Sequence, residues 1–173
     1  MKRRWYVLHV KPRTEKKTEE WLKIFRLWHY LPMYRKVTRV QRRKVVRHLP
    51  VFPGYVFACL NTDERLKMLR TQLIVRTIDV PRQRELIHQL RQVAKAGKRG
   101  AEMRTVEKFS VGDLVRVVQG PFYGLEGYIK RDEGRAMIVL NVEILGQAVA
   151  VSITPDSCQK IQRCVVSRTK RKF

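Results

Sequence analysis

The stretch LPVFPGYVFACL, Leu49–Leu60, is the most apolar run of this chain and carries no charged residue. It comes just after the most basic run, Arg35–Arg47, in which seven of thirteen residues are Lys or Arg and none is acidic. Pro50 and Pro53 restrict the start of the apolar run to a bend or a sheet edge. Gly54–Leu60 then predicts a strand that is buried on both faces. We therefore expect the fold to form around this strand, with a basic segment beside it.

The net charge is the most unusual bulk property. The 173 residues include 38 Lys and Arg against 15 Asp and Glu, which gives +23. Residues 1–100 hold 26 basic and 7 acidic residues, a net of +19, and the remainder holds 12 and 8, a net of +4. Such a surplus favours a polyanionic partner, which is nucleic acid, an anionic membrane surface or an acidic protein. The uneven placement predicts two domains.

Several classes of function find no support in the residues. The three cysteines include no Cys-x-x-Cys pair, and the four histidines form no metal-binding pattern with them, so we expect reduced thiols and no metal or cofactor. No nucleophile motif or phosphate-binding loop occurs, so we expect the protein not to be an enzyme. The apolar start is too short for a signal peptide, and no run reaches the roughly 18 residues of a membrane span. A soluble, cytoplasmic monomer is expected.

The first half alternates strand and helix patterns. Arg4–Lys11 predicts a strand, and Arg13–Trp28 predicts a helix whose aromatic stripe packs on a sheet, although base stacking is an alternative for its two tryptophans. Tyr30–Arg47 predicts two strands with a tip near Gln41–Arg43. After the central strand come a helix with an Asn61 or Thr62 cap, a strand at Leu73–Val80 and a last helix. We expect an α+β domain over residues 1–96, with helices on one face of a mixed or antiparallel sheet.

The second half has a different character. Residues 97–105, with two glycines and no periodicity, predict a flexible linker. Short strand patterns separated by the turns GPFYG, DEG and GQ follow, so residues 106–162 predict a small β-barrel. Residues 163–173 predict a basic, disordered tail.

Two sets of motifs resemble the NusG family of transcription factors. Trp5-Tyr6-Val7, Phe52–Phe57 and Leu73–Val80 are similar to the N-terminal domain of that family. The second half resembles a KOW domain, an SH3-like β-barrel, because Gly112-Asp113 is followed by a glycine-rich turn and an apolar strand pair. The turn residues that carry this resemblance are Gly120, Pro121, Phe122, Gly124 and Gly127. Together the motifs cover about Arg4–Ile161.

The resemblance implies a transcription elongation factor that binds RNA polymerase. Family members contact the clamp helices of the β′ subunit through an apolar patch, and the matching residues are Tyr55 and Phe57, with His9 on the first strand. Alternate strand residues share a face, so Tyr55 and Phe57 are expected to point together, either into a core or toward the polymerase. The KOW domain of family members binds a ribosomal protein, a termination factor or RNA.

The charge of the first domain resembles specialised paralogues of the RfaH and LoaP kind, which prevent termination at particular operons and touch non-template DNA or a nascent RNA hairpin. Lys11 matches a basic position that serves this role, and Arg13, Lys17 and Arg70 match more loosely. The charge run itself, independently of any resemblance, predicts an arm that contacts phosphates, although a solvated face is the alternative. Its cations are Arg35, Lys36, Arg39, Arg42, Arg43, Lys44 and Arg47. A general elongation factor and a ribosome-associated KOW protein remain alternative functions.

Overall fold

The computed structural model describes residues 2–40, 43–99, 103–106, 112–132 and 135–161. It has the α+β class expected from the sequence. The three helices are α1 Glu15–Ile24, α2 Thr62–Leu69 and α3 Gln83–Lys98. The first six strands are β1 Arg4–Val10, β2 Trp28–Tyr30, β3 Met33–Val40, β4 Arg43–Pro50, β5 Tyr55–Leu60 and β6 Ile74–Asp79. The next six are β7 Met103–Val106, β8 Leu114–Val117, β9 Glu126–Asp132, β10 Arg135–Val142, β11 Gln147–Ser152 and β12 Cys158–Lys160.

The central strand β5 lies inside a four-stranded antiparallel sheet in the order β2-β5-β1-β6. Side chains alternate between its faces, so that Val7 and Phe57 pair on one face while Leu8 and Val56 pair on the other. The Leu8 face packs against α1 and α2, and the Val7 face shares a core with α3. The expectation of helices on one face is therefore wrong: β5 and β1 are apolar on both faces, and each face needs its own cover.

Helix α1 is shorter than the predicted Arg13–Trp28. Its end is a Schellman motif, in which Leu27 N donates to Leu22 O at 2.8 Å and Arg26, with φ 54°, donates to Lys23 O at 2.9 Å. The chain then turns into β2, an edge strand that the sequence did not predict. Trp28 lies on this strand with 71% of its surface exposed, so it is not part of a helical core stripe.

The second half forms a six-stranded antiparallel sheet in the order β12-β8-β9-β10-β11-β7. Its glycines have the geometry that its turns and packing require. Gly120 and Gly124 have φ of 81° and 75°, and a Cβ on Gly127 would lie 2.6 Å from the Val139 carbonyl oxygen. The sheet that the sequence led us to expect is thus present, and its closure into an SH3-like barrel stays a prediction.

Helix α3 joins the two sheets. Its buried residues Leu86, Leu90 and Val93 lie in one core with residues of both halves. Gln92 Oε1 accepts a hydrogen bond from Glu126 N at 3.1 Å. The predicted linker 97–105 begins inside this helix, which ends at Lys98, and finishes inside β7, where Met103 is buried. The apolar face of α3 and the pairing of β7 with β11 explain the difference. Residues 163–173 lie outside the described residues.

The start of α2 carries a capping box with an ionisable residue, so we expect the stability of the fold to depend on pH. Glu64 N donates to Asn61 Oδ1 at 2.8 Å, Asn61 N donates to Glu64 Oε2 at 2.9 Å, and Arg3 Nε donates to the same carboxylate. The hydrogen bond from Arg3 holds the pKa of Glu64 below its usual value. A carboxylate with a lowered folded-state pKa stabilises the fold above its unfolded pKa, and this contribution is lost as the pH falls through the folded value.

We expect Glu64→Ala to lower the free energy of unfolding by about 1 kcal/mol at neutral pH, because the capping box is lost. The deficit should shrink as the pH falls through the lowered pKa of Glu64, since the folded wild-type carboxylate is then protonated as well. Urea unfolding at neutral and acidic pH measures both values. Asn61→Ala is the control: its amide does not titrate, so its deficit should change less with pH. An equal Glu64→Ala deficit at both pH values would contradict the assignment.

Candidate functional site

The candidate site lies at one end of the first sheet, where β1 ends and where β5 and β6 begin. Val10 N donates to Gly54 O at 2.8 Å, and Lys11 N donates to Leu73 O at 2.9 Å. The buried Glu15 at the start of α1 accepts a hydrogen bond from Gly54 N at 2.8 Å. These bonds hold the end of β1, the start of α1, the turn before β5 and the turn before β6 together.

A row of three side chains crosses the sheet at this end. Tyr55 pairs with His9, and His9 pairs with Arg76 on its other side, so all three share one face. The His9 and Tyr55 rings stack with centroids 5.2 Å apart and an angle of 26° between their planes. Both rings are half-buried, and Arg76 is exposed. The row therefore presents aromatic surface beside a positive charge, which suits a partner with apolar and acidic groups.

Phe57 occupies a different position from the one expected for a contact residue. It lies on the same face as Tyr55, but it is 0% exposed and packs edge-on against Phe52 with ring centroids 6.2 Å apart. Its surroundings include Val7, α3 and residues of the second sheet. In this conformation the Phe57 side chain is therefore part of the core that also includes α3 residues, and its role as a polymerase contact stays a prediction.

The predicted cations near this end are all exposed: Lys11, Arg13, Lys17 and Arg70. Arg13 has φ 64° in the turn that leads into α1, in which Thr14 N donates to Lys11 O at 3.1 Å. Arg70 follows α2, close in sequence to the Leu73 carbonyl that Lys11 contacts. The Lys11 bond brings the turn after β1 and the turn after α2 together.

The basic run forms a two-stranded ribbon, β3 paired with β4, which we call the arm. Its described cations are exposed, and none of them forms an ion pair with a described carboxylate. These residues are Arg35, Lys36, Arg39, Arg43, Lys44 and Arg47. Arg42 and the tip lie outside the described residues. Like charges held this close without counter-charges favour binding of a polyanion.

The arm begins at the same end of the sheet as the row of Tyr55, His9 and Arg76. Its first strand follows β2, and its second strand leads through Val51 and Phe52, both fully buried, into β5. Val51 N donates to Pro32 O at 2.8 Å and closes the base of the arm. The base is therefore fixed to the core, and the charged part extends from the site end of the domain.

Two partly buried groups of the sheet, Tyr30 and Cys59, are held in their neutral forms. Burial raises the pKa of Tyr30 to about 12 and raises the pKa of the Cys59 thiol. Both groups are thus neutral near pH 7, and the thiol is a poor nucleophile. Across the described ranges, no cluster of His, Cys, Asp and Glu could hold a metal ion. Nor does any helix formed by those ranges have the length and apolarity needed to cross a membrane.

Sequence reasoning missed two features of the site. Arg76 was not singled out because its place beside His9 depends on the pairing of β1 with β6, which no local pattern specifies. Glu15 was not singled out either, and its carboxylate holds the turn before β5. An acidic residue in the first turn of a predicted helix is too common a pattern to have identified that bond.

The larger part of the chain matches a known protein family. A family described as Transcription termination factor nusG matches residues 3–106. The match includes the whole first sheet, the arm and all three helices.

Proposed function

This chain belongs to the NusG family of transcription elongation and termination factors, and we propose that it is a specialised antitermination factor within it. Members of the family generally bind RNA polymerase. One observation carries the more specific proposal. The half-buried Tyr55–His9 pair lies at the same end of the sheet as the basic arm, whose described cations form no ion pair with a described carboxylate. One surface suits the polymerase and the other suits nucleic acid.

The proposed polymerase contact is the row formed by Tyr55, His9 and Arg76. Tyrosine is enriched among the residues that dominate interface energies, because a half-buried ring supplies a large contact area with little entropy loss. The stacked His9 holds the Tyr55 ring in place, so the surface is formed before the partner arrives. The proposed partner is the pair of clamp helices of the β′ subunit. Phe57 supports this surface from below.

The proposed nucleic-acid contact is formed by the arm together with Lys11, Arg13, Lys17 and Arg70. These cations are exposed, and most of the chain's net charge of +23 lies in the same half. Charge concentrated in this way favours a nucleic-acid ligand of the first half itself. We therefore favour a factor that loads where a nascent RNA hairpin or exposed non-template DNA is present, and that then suppresses pausing and termination. A KOW-type second domain would recruit a further partner, such as a ribosomal protein or termination factor.

Tyr55→Ala is expected to weaken polymerase binding by about thirtyfold, the effect of losing an interface residue worth about 2 kcal/mol. Binding of the full chain to core polymerase is measured by fluorescence anisotropy. Tyr123→Ala is the matched control, because Tyr123 is also a tyrosine, is 63% exposed and lies on a turn of the second half. Equal affinity of wild type and Tyr55→Ala would remove Tyr55 from the proposed interface.

Transcription in vitro across a terminator tests the activity itself. Wild type should increase readthrough, and Tyr55→Ala should not do so at concentrations near the wild-type dissociation constant. If wild type instead changes pausing equally on every template, whatever its sequence, the protein is better described as a general elongation factor. If the chain binds ribosomes and not polymerase, the proposal is rejected in favour of a ribosome-associated role.

A further inference from the structure

We propose that the arm lies in the major groove of duplex DNA. The inference rests on the proposed function in one respect only, that the arm contacts nucleic acid. Its starting point is the pairing of β3 with β4, in which eight residue pairs form an unbroken antiparallel ladder from Met33 and Pro50 to Val40 and Arg43. At about 3.4 Å per residue the ribbon is roughly 25 Å long, enough to follow a groove for most of a helical turn.

The register divides the arm into two basic faces. The first face holds the pairs Arg35–His48, Val37–Val46 and Arg39–Lys44. On the second face the pair Lys36–Arg47 is followed by Thr38–Val45, and Arg43 comes next along β4. A ribbon lying flat on a surface would need charge on one face only. Cations on both faces fit a site with phosphates around it, which is what a groove provides.

The edges of the arm support the same arrangement. The two strands form a sheet of their own, so within the described residues neither outer edge is paired with another strand. Each edge therefore presents backbone N–H groups at every second residue. When one face of the ribbon points to the floor of a groove, its two edges face the two phosphate walls. Backbone N–H groups are common phosphate donors in protein–DNA complexes.

The first face fits the floor of the groove. Val37 and Val46 lie opposite each other at its centre and are 46% and 40% exposed, an unusual position for apolar side chains in a charged ribbon. The thymine methyl group, which lies in the major groove, is a suitable apolar contact for them. Arg39 and Lys44 form the next pair on this face, and both can donate to the guanine acceptors.

Single strands and duplex RNA fit the arm less well. Proteins that hold single strands stack the bases on aromatic side chains, and Arg35–Arg47 contains no aromatic residue. The major groove of A-form RNA is too narrow for side chains to read, whereas the B-form groove, about 12 Å wide, admits a two-stranded β-ribbon. Upstream or downstream duplex DNA at a transcribing polymerase is therefore the ligand that the arm's shape favours. The recruiting RNA hairpin or non-template strand is then left to the exposed cations outside the arm, which are Lys11, Arg13, Lys17 and Arg70.

The test compares ligands of one sequence, each about two helical turns long, in about 100 mM salt. The full chain should bind duplex DNA at least about tenfold more tightly than duplex RNA or either single strand, which is the discrimination expected from losing the groove contacts. Duplex DNA carrying glucosylated hydroxymethylcytosine, which fills the major groove, should bind about tenfold more weakly. Netropsin, which occupies the minor groove, should change affinity less than twofold.

Two matched double variants test which face points to the floor. Arg39→Gln/Lys44→Gln changes the first face and Lys36→Gln/Arg47→Gln changes the second, and each removes two charges. Both should weaken binding to plain duplex DNA. Only the first-face variant should also lose the difference between plain and glucosylated duplexes. A glucosylation effect that is absent in wild type, or netropsin competition, overturns the groove assignment.

The same preparations separate this inference from the proposed function. If duplex RNA or a single strand binds as tightly as duplex DNA, the groove inference fails. The proposed function stands in that case, provided that polymerase binding is retained and is sensitive to Tyr55→Ala. If the chain binds no nucleic acid at all, the groove inference and the nucleic-acid part of the proposed function both fail.

Discussion

Replacing Phe57 by alanine is expected to lower the free energy of unfolding by about 3–5 kcal/mol, the usual cost of removing a buried phenylalanine ring. The ring is 0% exposed and lies at the centre of the sheet, against Phe52 and α3. A cavity at this place cannot collapse easily, because β5 is paired on both sides. The loss is a large fraction of the total stability of an ordinary domain.

Urea unfolding of Phe57→Ala and Tyr55→Ala distinguishes the two roles on β5. Tyr55→Ala removes a half-buried ring and should cost about 1 kcal/mol while abolishing most polymerase affinity. Phe57→Ala should lose polymerase affinity only to the extent that the protein unfolds. Stability of Phe57→Ala within about 1 kcal/mol of wild type would show that Phe57 is not held in the core.

The second large effect is expected in the arm. Arg39→Gln/Lys44→Gln/Arg47→Gln removes three exposed, unpaired cations. If each cation neutralises one phosphate charge, whether from the groove or beside the phosphate itself, the slope of log affinity against log salt concentration should fall by about 2.7, from roughly 0.9 per charge. At about 50 mM salt the affinity for nucleic acid should fall by at least about a hundredfold.

The control for this prediction keeps the net charge equal. Arg84→Gln/Arg91→Gln/Lys98→Gln removes three exposed cations of α3, so both variants change the net charge from +23 by the same amount. Only the arm variant should show the smaller salt dependence of binding. In transcription assays, only the arm variant should lose readthrough of the terminator. Equal losses in both variants would mean that net charge alone drives binding and that the arm has no particular role.

The chain's local patterns predicted most elements of the first half. The apolar run predicted β5, the β-branched and basic run predicted the arm, and Asn61 was foreseen as a cap of α2. These features depend on residues close together in sequence. The helix Arg13–Trp28 was predicted too long, because a left-handed turn at Arg26, a residue type that carries no strong stop signal, ends α1.

The residue types of the candidate site were predictable from the sequence, but their positions relative to one another were not. Its aromatic and basic residues were identified from the sequence, but the exposure of Tyr55 and the burial of Phe57 were not distinguished. Tyr55 and Phe57 are alternate residues of β5 and lie on the same face, so the period of the sequence does not distinguish them. The difference arises because α3, which follows some 26 residues after Phe57, covers only part of that face.

The sequence by itself determined the class of the fold, the order of helices α1, α2 and α3 and of most strands of the first half, and the concentration of positive charge there, because these follow from local periodicity and composition. Tertiary structure alone decided which face of β5 is covered by which helix, that residues 97–98 and 103–105 belong to regular elements, and that Tyr55, His9 and Arg76 form one row. These features depend on strand pairing and helix docking between segments that are distant in sequence. Such contacts produce no local pattern in the sequence from which they could be predicted.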